Sequence, residues 1–124
     1  MATDTTEAEI TKAIGAHGMW KNRLAGAINA GAHTEDVATV AVDNKCEFGR
    51  WLQGFTPTPG DQAHYQTCKK LHAAFHAEAA KTLRLVSAGQ KAQAQTAMAP
   101  AGSFTKASAD LTKAMIEWRT AKKR

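Results

Sequence analysis

The stretch LHAAFH, residues 71–76, sets His72 and His76 four positions apart in a run that reads as helix. Residues at that spacing differ by about 40° around a helix axis, so both imidazoles point the same way and can share one ion. Their nitrogens suit zinc, nickel, copper or iron, and a thiolate added to the set favours zinc. Such a pair arises often by chance, so its meaning depends on what else converges on it. His17 lies in a seam otherwise filled by Ile10, Ile14, Leu24 and Ile28. A lone histidine there is commonly a satisfied core residue. Three histidines on the inward faces of two helices are harder to dismiss, because burying them unpaired costs several hydrogen bonds' worth of free energy.

The two cysteines are Cys46 and Cys68. A trio of Cys68, His72 and His76 would need three successive turns to reach one ion, across an accumulated rotation of about 80°. Cys46 arrives on a separate segment and can close a tetrahedron, so geometry prefers it. An inert buried thiol is the other reading of Cys46, and Cys68 reads as a small core residue.

The elements that must position these groups are helical, since alanine is abundant and β-branched runs are rare. A first helix is expected from Thr5 to about Ala30, with Thr3 or Asp4 as N-cap and Gly31 as its stop. A second segment runs from about Thr34 to Phe55 in two pieces. Thr34 is the expected N-cap of the first piece, and Asp43 or Asn44 that of the second, just before Cys46. TPTPGD, residues 56–61, is a linker punctuated by two prolines and a glycine. A third helix follows from about Asp61 to Ser87, with Tyr65, Cys68, His72, Phe75, Ala79, Leu83 and Val86 on one stripe; Gly89 closes it. The last segment, from about Gln90, is broken at APAG, residues 99–102, because a proline inside a helix loses a hydrogen bond and clashes with the previous turn. Phe104, Leu111, Met115 and Trp118 share a face of the final helix. The expected fold is all-α: an antiparallel four-helix bundle with an additional short helix carrying Cys46.

A chain of 124 residues reads as one domain spanning residues 1–124, long enough for a core without disulfides. The net charge of +5 permits an acidic partner. The basic residues are scattered, however, and their one cluster, Arg119 with Lys122 to Arg124, suits a helix C-terminus. No nucleic-acid signature accompanies it. The polar, acidic start is no signal peptide, no apolar run approaches a membrane span, and two cysteines fit a reducing compartment. A cytoplasmic protein is expected.

Three motifs now stand in order: His17-Gly-Met-Trp20, Cys46-Glu-Phe48-Gly49-Arg-Trp51, and His72-Ala-Ala-Phe-His76. Together they resemble the chemoreceptor zinc-binding (CZB) domain family, whose pattern is HxxW, CxFGxW and HxxxH at about these separations. The closing SFTKASADLTKAMIEW is similar to that family's last helix. The resemblance implies a helical bundle holding one zinc ion through His17, Cys46, His72 and His76. His33 and His64 match no ligand position and read as solvent-facing. Glu47, Asp43 and Glu78 are the nearby acids that could orient a histidine, and Trp20 and Trp51 are expected to pack around the site.

Four protein ligands leave no open position for a substrate water, so no hydrolytic centre, and no enzyme, is expected. The resemblance implies a sensor that responds to zinc, or to oxidants such as hypochlorous acid through Cys46, and controls a chemoreceptor or diguanylate cyclase in cis or in trans. It also implies a homodimer, with the first helix as a face. The alternative is a purely structural zinc in a protein-interaction module. A haemerythrin-like di-iron bundle is disfavoured, since no histidine here has an acid four residues on. The chain carries neither a methyl-accepting region nor a cyclase signature. Met1 and the TAKKR ending lean towards a free-standing sensor rather than a piece of a longer protein.

Overall fold

The computed structural model describes residues 5–42 and 46–123. Six helices form among them: α1 (Thr6–Ala30), α2 (Val37–Ala41), α3 (Glu47–Gly54), α4 (Gln62–Ser87), α5 (Lys91–Met98) and α6 (Ser103–Lys122). They make four helical segments, of which the second (α2 with α3) and the fourth (α5 with α6) are each broken once. The all-α bundle read from the sequence is the one found, and α3 is its additional short helix, with Cys46 at its N-cap.

Helix α1 has Glu7 and Glu9 in its first turn, where carboxylates meet the positive end of the helix dipole. Its N-cap position is Thr5, with no side-chain cap; Thr3 and Asp4 lie outside the described residues. Gly31 ends it at φ 70°, a left-handed conformation that costs glycine nothing, and its N–H reaches the Ala27 carbonyl at 2.8 Å. Asp36, not Thr34, caps α2: its carboxylate accepts from the Ala38 N–H (3.1 Å) and the Thr39 hydroxyl (3.0 Å). Asp43 and Asn44 lie outside the described residues, and the N-cap of α3 is Cys46 itself.

The break after α5 has a steric cause besides Pro100. A Cβ at Gly102 would collide with the carbonyls of Thr96 and Ala97, so only glycine lets the chain turn this closely into α6.

Helix α4 is the centre of the bundle, with all seven residues of its expected stripe buried. Trp118, near the end of α6, packs on Tyr65, near the start of α4, so these helices run antiparallel. Arg119 of α6 and Lys123, which caps it, meet Thr11 and Glu7 of α1, so this pair is antiparallel too. Ile10, Leu24, Phe75, Leu83, Phe104, Leu111, Met115 and Trp118 are almost wholly excluded from solvent. Each contributes on the order of 1.5–3 kcal/mol by burial.

Candidate metal centre

His17 sits midway along α1 on its buried seam, and its Nδ1–H donates to the Ala13 carbonyl one turn back, 2.8 Å away. His76, on α4, directs its own Nδ1–H to the Val40 carbonyl of α2 at 3.1 Å. A carbonyl oxygen only accepts, so both rings hold their proton on Nδ1 and offer the Nε2 lone pair. His72, one turn before His76 and 0% exposed, brings its Nε2 to 3.1 Å from each of those two Nε2 atoms. The Cys46 Sγ accepts the Gly49 N–H at 3.3 Å and lies 3.2 Å from His72 Nε2 and 4.0 Å from His17 Nε2. All four ligand atoms fall within 4.8 Å of one another.

This arrangement fits a tetrahedral ion. With zinc–nitrogen bonds of about 2.0–2.1 Å and zinc–sulfur of about 2.3 Å, the edges of the tetrahedron are about 3.3 Å between nitrogens and about 3.5 Å from nitrogen to sulfur. The observed nitrogen–nitrogen separations of 3.1 Å lie just under the first value, and the nitrogen–sulfur ones of 3.2 and 4.0 Å lie on either side of the second. Converging lone pairs repel unless a cation sits among them.

Burial sets the charge of the cluster. It pushes His17 down to about 4, against the opposing Ala13 hydrogen bond and with a smaller push from His76. It pushes His72 down to about 3, with His76 and His17 adding to the effect. Both imidazoles are therefore neutral at pH 7 and ready to coordinate. The edges of Phe48 and Phe75 wall the rings, with centroids 5.1 Å from His72 and 5.0 Å from His17 respectively. Cys68 is 0% exposed, and burial, aided by Glu117, pushes its thiol up to about 12. It is a protonated core residue, as expected.

The four residues singled out in the sequence thus meet at one point, and Cys68, His33 and His64 lie outside it. His33 corrects an expectation. Its side chain is only 8% exposed, with Nδ1–H donating to the Glu35 carbonyl (3.1 Å) and Nε2 accepting from the Ser87 hydroxyl (2.8 Å). It ties the α1–α2 connection to the end of α4. His64 is partly buried near the start of α4.

Glu47, Asp43 and Glu78 are the acids that could orient a histidine, but His17 and His76 are held by backbone carbonyls. Glu47 pairs with Lys12 at 3.3 Å on the surface, Glu78 has a buried Oε2 with no hydrogen bond, and Asp43 lies outside the described residues. Trp51 stacks on Phe48 (5.7 Å) and reaches Trp118 (5.8 Å), and Trp20 carries the Arg23 guanidinium over its ring at 4.8 Å. Both pack around the site. A cavity of about 310 Å³ opens beside it, lined by His17, Cys46 and His76 together with Trp20, Val40 and Phe48.

Asp61 read in the sequence only as a helix start. It is buried, accepts from the Trp118 indole (3.0 Å) and the Thr58 hydroxyl (2.8 Å), and pairs with Lys122 at 3.4 Å. Burial alone would raise its carboxyl, but these partners hold it below the usual carboxylate range.

No curated protein and no solved structure matches the chain significantly. The family model of the chemoreceptor zinc-binding domain matches residues 17–83, more than half of the chain. The match begins at His17 and encloses Cys46, His72 and His76, the same four residues whose ligand atoms converge. By that match, and by a cluster placed to bind a metal ion, the chain belongs to the chemoreceptor zinc-binding domain family.

Proposed function

We propose that the whole chain is one sensory domain, in which His17, Cys46, His72 and His76 hold a single zinc ion. The observation that carries this reading is the convergence of three imidazole nitrogens and one thiol sulfur within 4.8 Å. Bound there, zinc would neutralise the mutual repulsion of the donors and keep Cys46 as a thiolate, a better nucleophile than a free thiol. The chain's own residues do the rest. Ala13 and Val40 orient two rings, Phe48 and Phe75 exclude water, and Gly49 steadies the sulfur.

The role is regulatory rather than catalytic, since four protein ligands close the coordination shell. The signal is zinc itself, an oxidant such as hypochlorous acid acting on Cys46, or both. The output is a cytoplasmic signalling partner, a chemoreceptor or a diguanylate cyclase. The extent of the core away from the site argues against a zinc that serves only to hold the fold together. Among the described residues no helix is long and apolar enough to cross a membrane.

Metal analysis tests this directly. The purified chain should carry one zinc, and His72→Ala or Cys46→Ala should weaken binding by more than about 100-fold, because even groups that merely support such ligands are worth 10–100-fold. Cys68→Ala should leave the affinity unchanged. The reverse pattern for the two cysteines would sink the assignment. Stepwise hypochlorous acid should release zinc as Cys46 oxidises; zinc retained while Cys46 is oxidised would remove the redox reading.

A further inference from the structure

The cavity beside the cluster has a chemical character that the zinc site alone does not require. Its walls are mostly apolar, with Trp20, Val40, Phe48 and Ala16 among them, and Cys46 opens onto it. Three large hydrophobic side chains stand exposed among the described residues: Met19, Val42 and Ile116. Met19 and Val42 both border this cavity. A volume of about 310 Å³ is at the small end of the range for organic-ligand pockets, far more than hypochlorous acid or a peroxide needs. Its cations are already engaged: Lys12 with Glu9 and Glu47, and Arg23 on the Trp20 ring. The pocket therefore favours neutral, apolar molecules over anions.

We propose that this pocket admits apolar carbon electrophiles, the α,β-unsaturated carbonyl class, to Cys46, and that their addition expels the zinc. The proposal rests on the reading of Cys46 as a zinc-bound thiolate. The step is a conjugate addition. The Sγ lone pair forms a bond to the β-carbon, the C=C π pair shifts to the carbonyl oxygen, and the enolate takes a proton from water. No oxidant or reductant takes part. Cys46 becomes a neutral thioether, a poor ligand beside a thiolate, so the set falls to three histidines. The adduct also removes the acceptor charge to which Gly49 donates at the start of α3.

Two neutral maleimides of different polarity, N-cyclohexylmaleimide and N-(2-hydroxyethyl)maleimide, test this on the zinc-loaded full chain. Rates of Cys46 modification are read by peptide mass spectrometry, normalised to each reagent's rate with glutathione, and zinc release is followed with a chromophoric chelator. The cyclohexyl reagent should be favoured by about tenfold or more, from burial of part of its ring. Zinc should leave one for one with the Cys46 adduct, and Cys68 should remain unmodified. Ala16→Phe, which fills the pocket from an exposed position on α1, should abolish the preference while leaving zinc content at one per chain. Equal normalised rates, or a preference that survives Ala16→Phe, would overturn the pocket's role. A selective adduct that leaves zinc bound would overturn the expulsion. Failure of the underlying reading is visible separately, as absence of zinc from the unreacted chain.

Discussion

Acidification of the metal-free protein offers the sharpest check on the electrostatics of the site. His17 and His72 titrate near 6.5 when exposed in the unfolded chain, but near about 4 and about 3 in the folded one. As pH falls below 6.5 the unfolded chain takes up these two protons while the folded chain refuses them. Stability contributed by the neutral rings is complete above pH 6.5 and is lost progressively as pH falls through about 4 for His17 and about 3 for His72. In the steep part of that window the loss approaches two protons' worth, about 2.7 kcal/mol per pH unit, and at pH 4.5 it totals about 5 kcal/mol. Small domains have only about 5–15 kcal/mol to lose, so the metal-free chain should be close to unfolding there.

The assay is urea unfolding by far-ultraviolet circular dichroism on chelator-treated protein at pH 7, 5.5 and 4.5. His72→Leu should halve the pH slope by removing one of the two titrating rings. Saturating zinc should hold the midpoint nearly constant until protons displace the ion, since binding requires the same deprotonated nitrogens. A metal-free midpoint that does not move between pH 6.5 and 4.5, or a slope that His72→Leu leaves intact, would refute the picture of two desolvated neutral imidazoles.

Three further outcomes follow from the packing. Asp61→Ala leaves the buried Trp118 indole N–H without its carboxylate and should cost about 1–3 kcal/mol at pH 7; a loss below about 0.5 kcal/mol would show that the bond is not made in solution. Gly102→Ala should destabilise by about 2 kcal/mol or more, measured by thermal unfolding, because its Cβ meets backbone rather than a movable side chain. Gly26→Ala, in open space on the exposed face of α1, should instead stabilise by about 0.5–1 kcal/mol in the same measurement.

What could be read from the sequence was what depends on residue type and period. His17 stood out because an imidazole occupied a seam of isoleucine and leucine. The α4 stripe from Tyr65 to Val86 followed from helical spacing, and the breaks at Gly31, residues 56–61 and Pro100 followed from backbone chemistry. What escaped depends on partners distant in the chain. The Val40 carbonyl that orients His76 is a backbone group, identical in kind to every other, and no residue letter marks it. His33 resembled a turn histidine because Ser87, its hydroxyl partner, is far away in sequence. Asp61 looked like a helix start; its burial comes from Trp118 and Lys122 folding back over it from α6. The choice of Asp36 over Thr34 turned on reach, since one carboxylate serves both the Ala38 N–H and the Thr39 hydroxyl.

Chemistry at Cys46 cannot remain confined to the metal cluster, and the reason lies in α3. This helix has only eight residues, too few to persist in water alone, so it depends on its cap and on its packing. Its cap is the Cys46 sulfur, through the Gly49 N–H, an interaction of a kind worth about 1 kcal/mol. Its packing runs in two directions. Phe48 lies edge-on to the imidazoles, while Trp51 and Phe55 lean on Trp118 of α6, at 5.8 and 5.5 Å between ring centroids. At its other end the Leu52 carbonyl accepts the Tyr65 hydroxyl at 2.9 Å. A change that pulls the sulfur from the imidazoles therefore removes the cap from α3 and shifts the aromatic rings above Trp118 in the same event. Trp118 and Lys122 converge on Asp61, so the disturbance reaches the last turns of α6 and the start of α4 together. The metal centre and Trp118 of α6 thus lean on one and the same short, marginal helix.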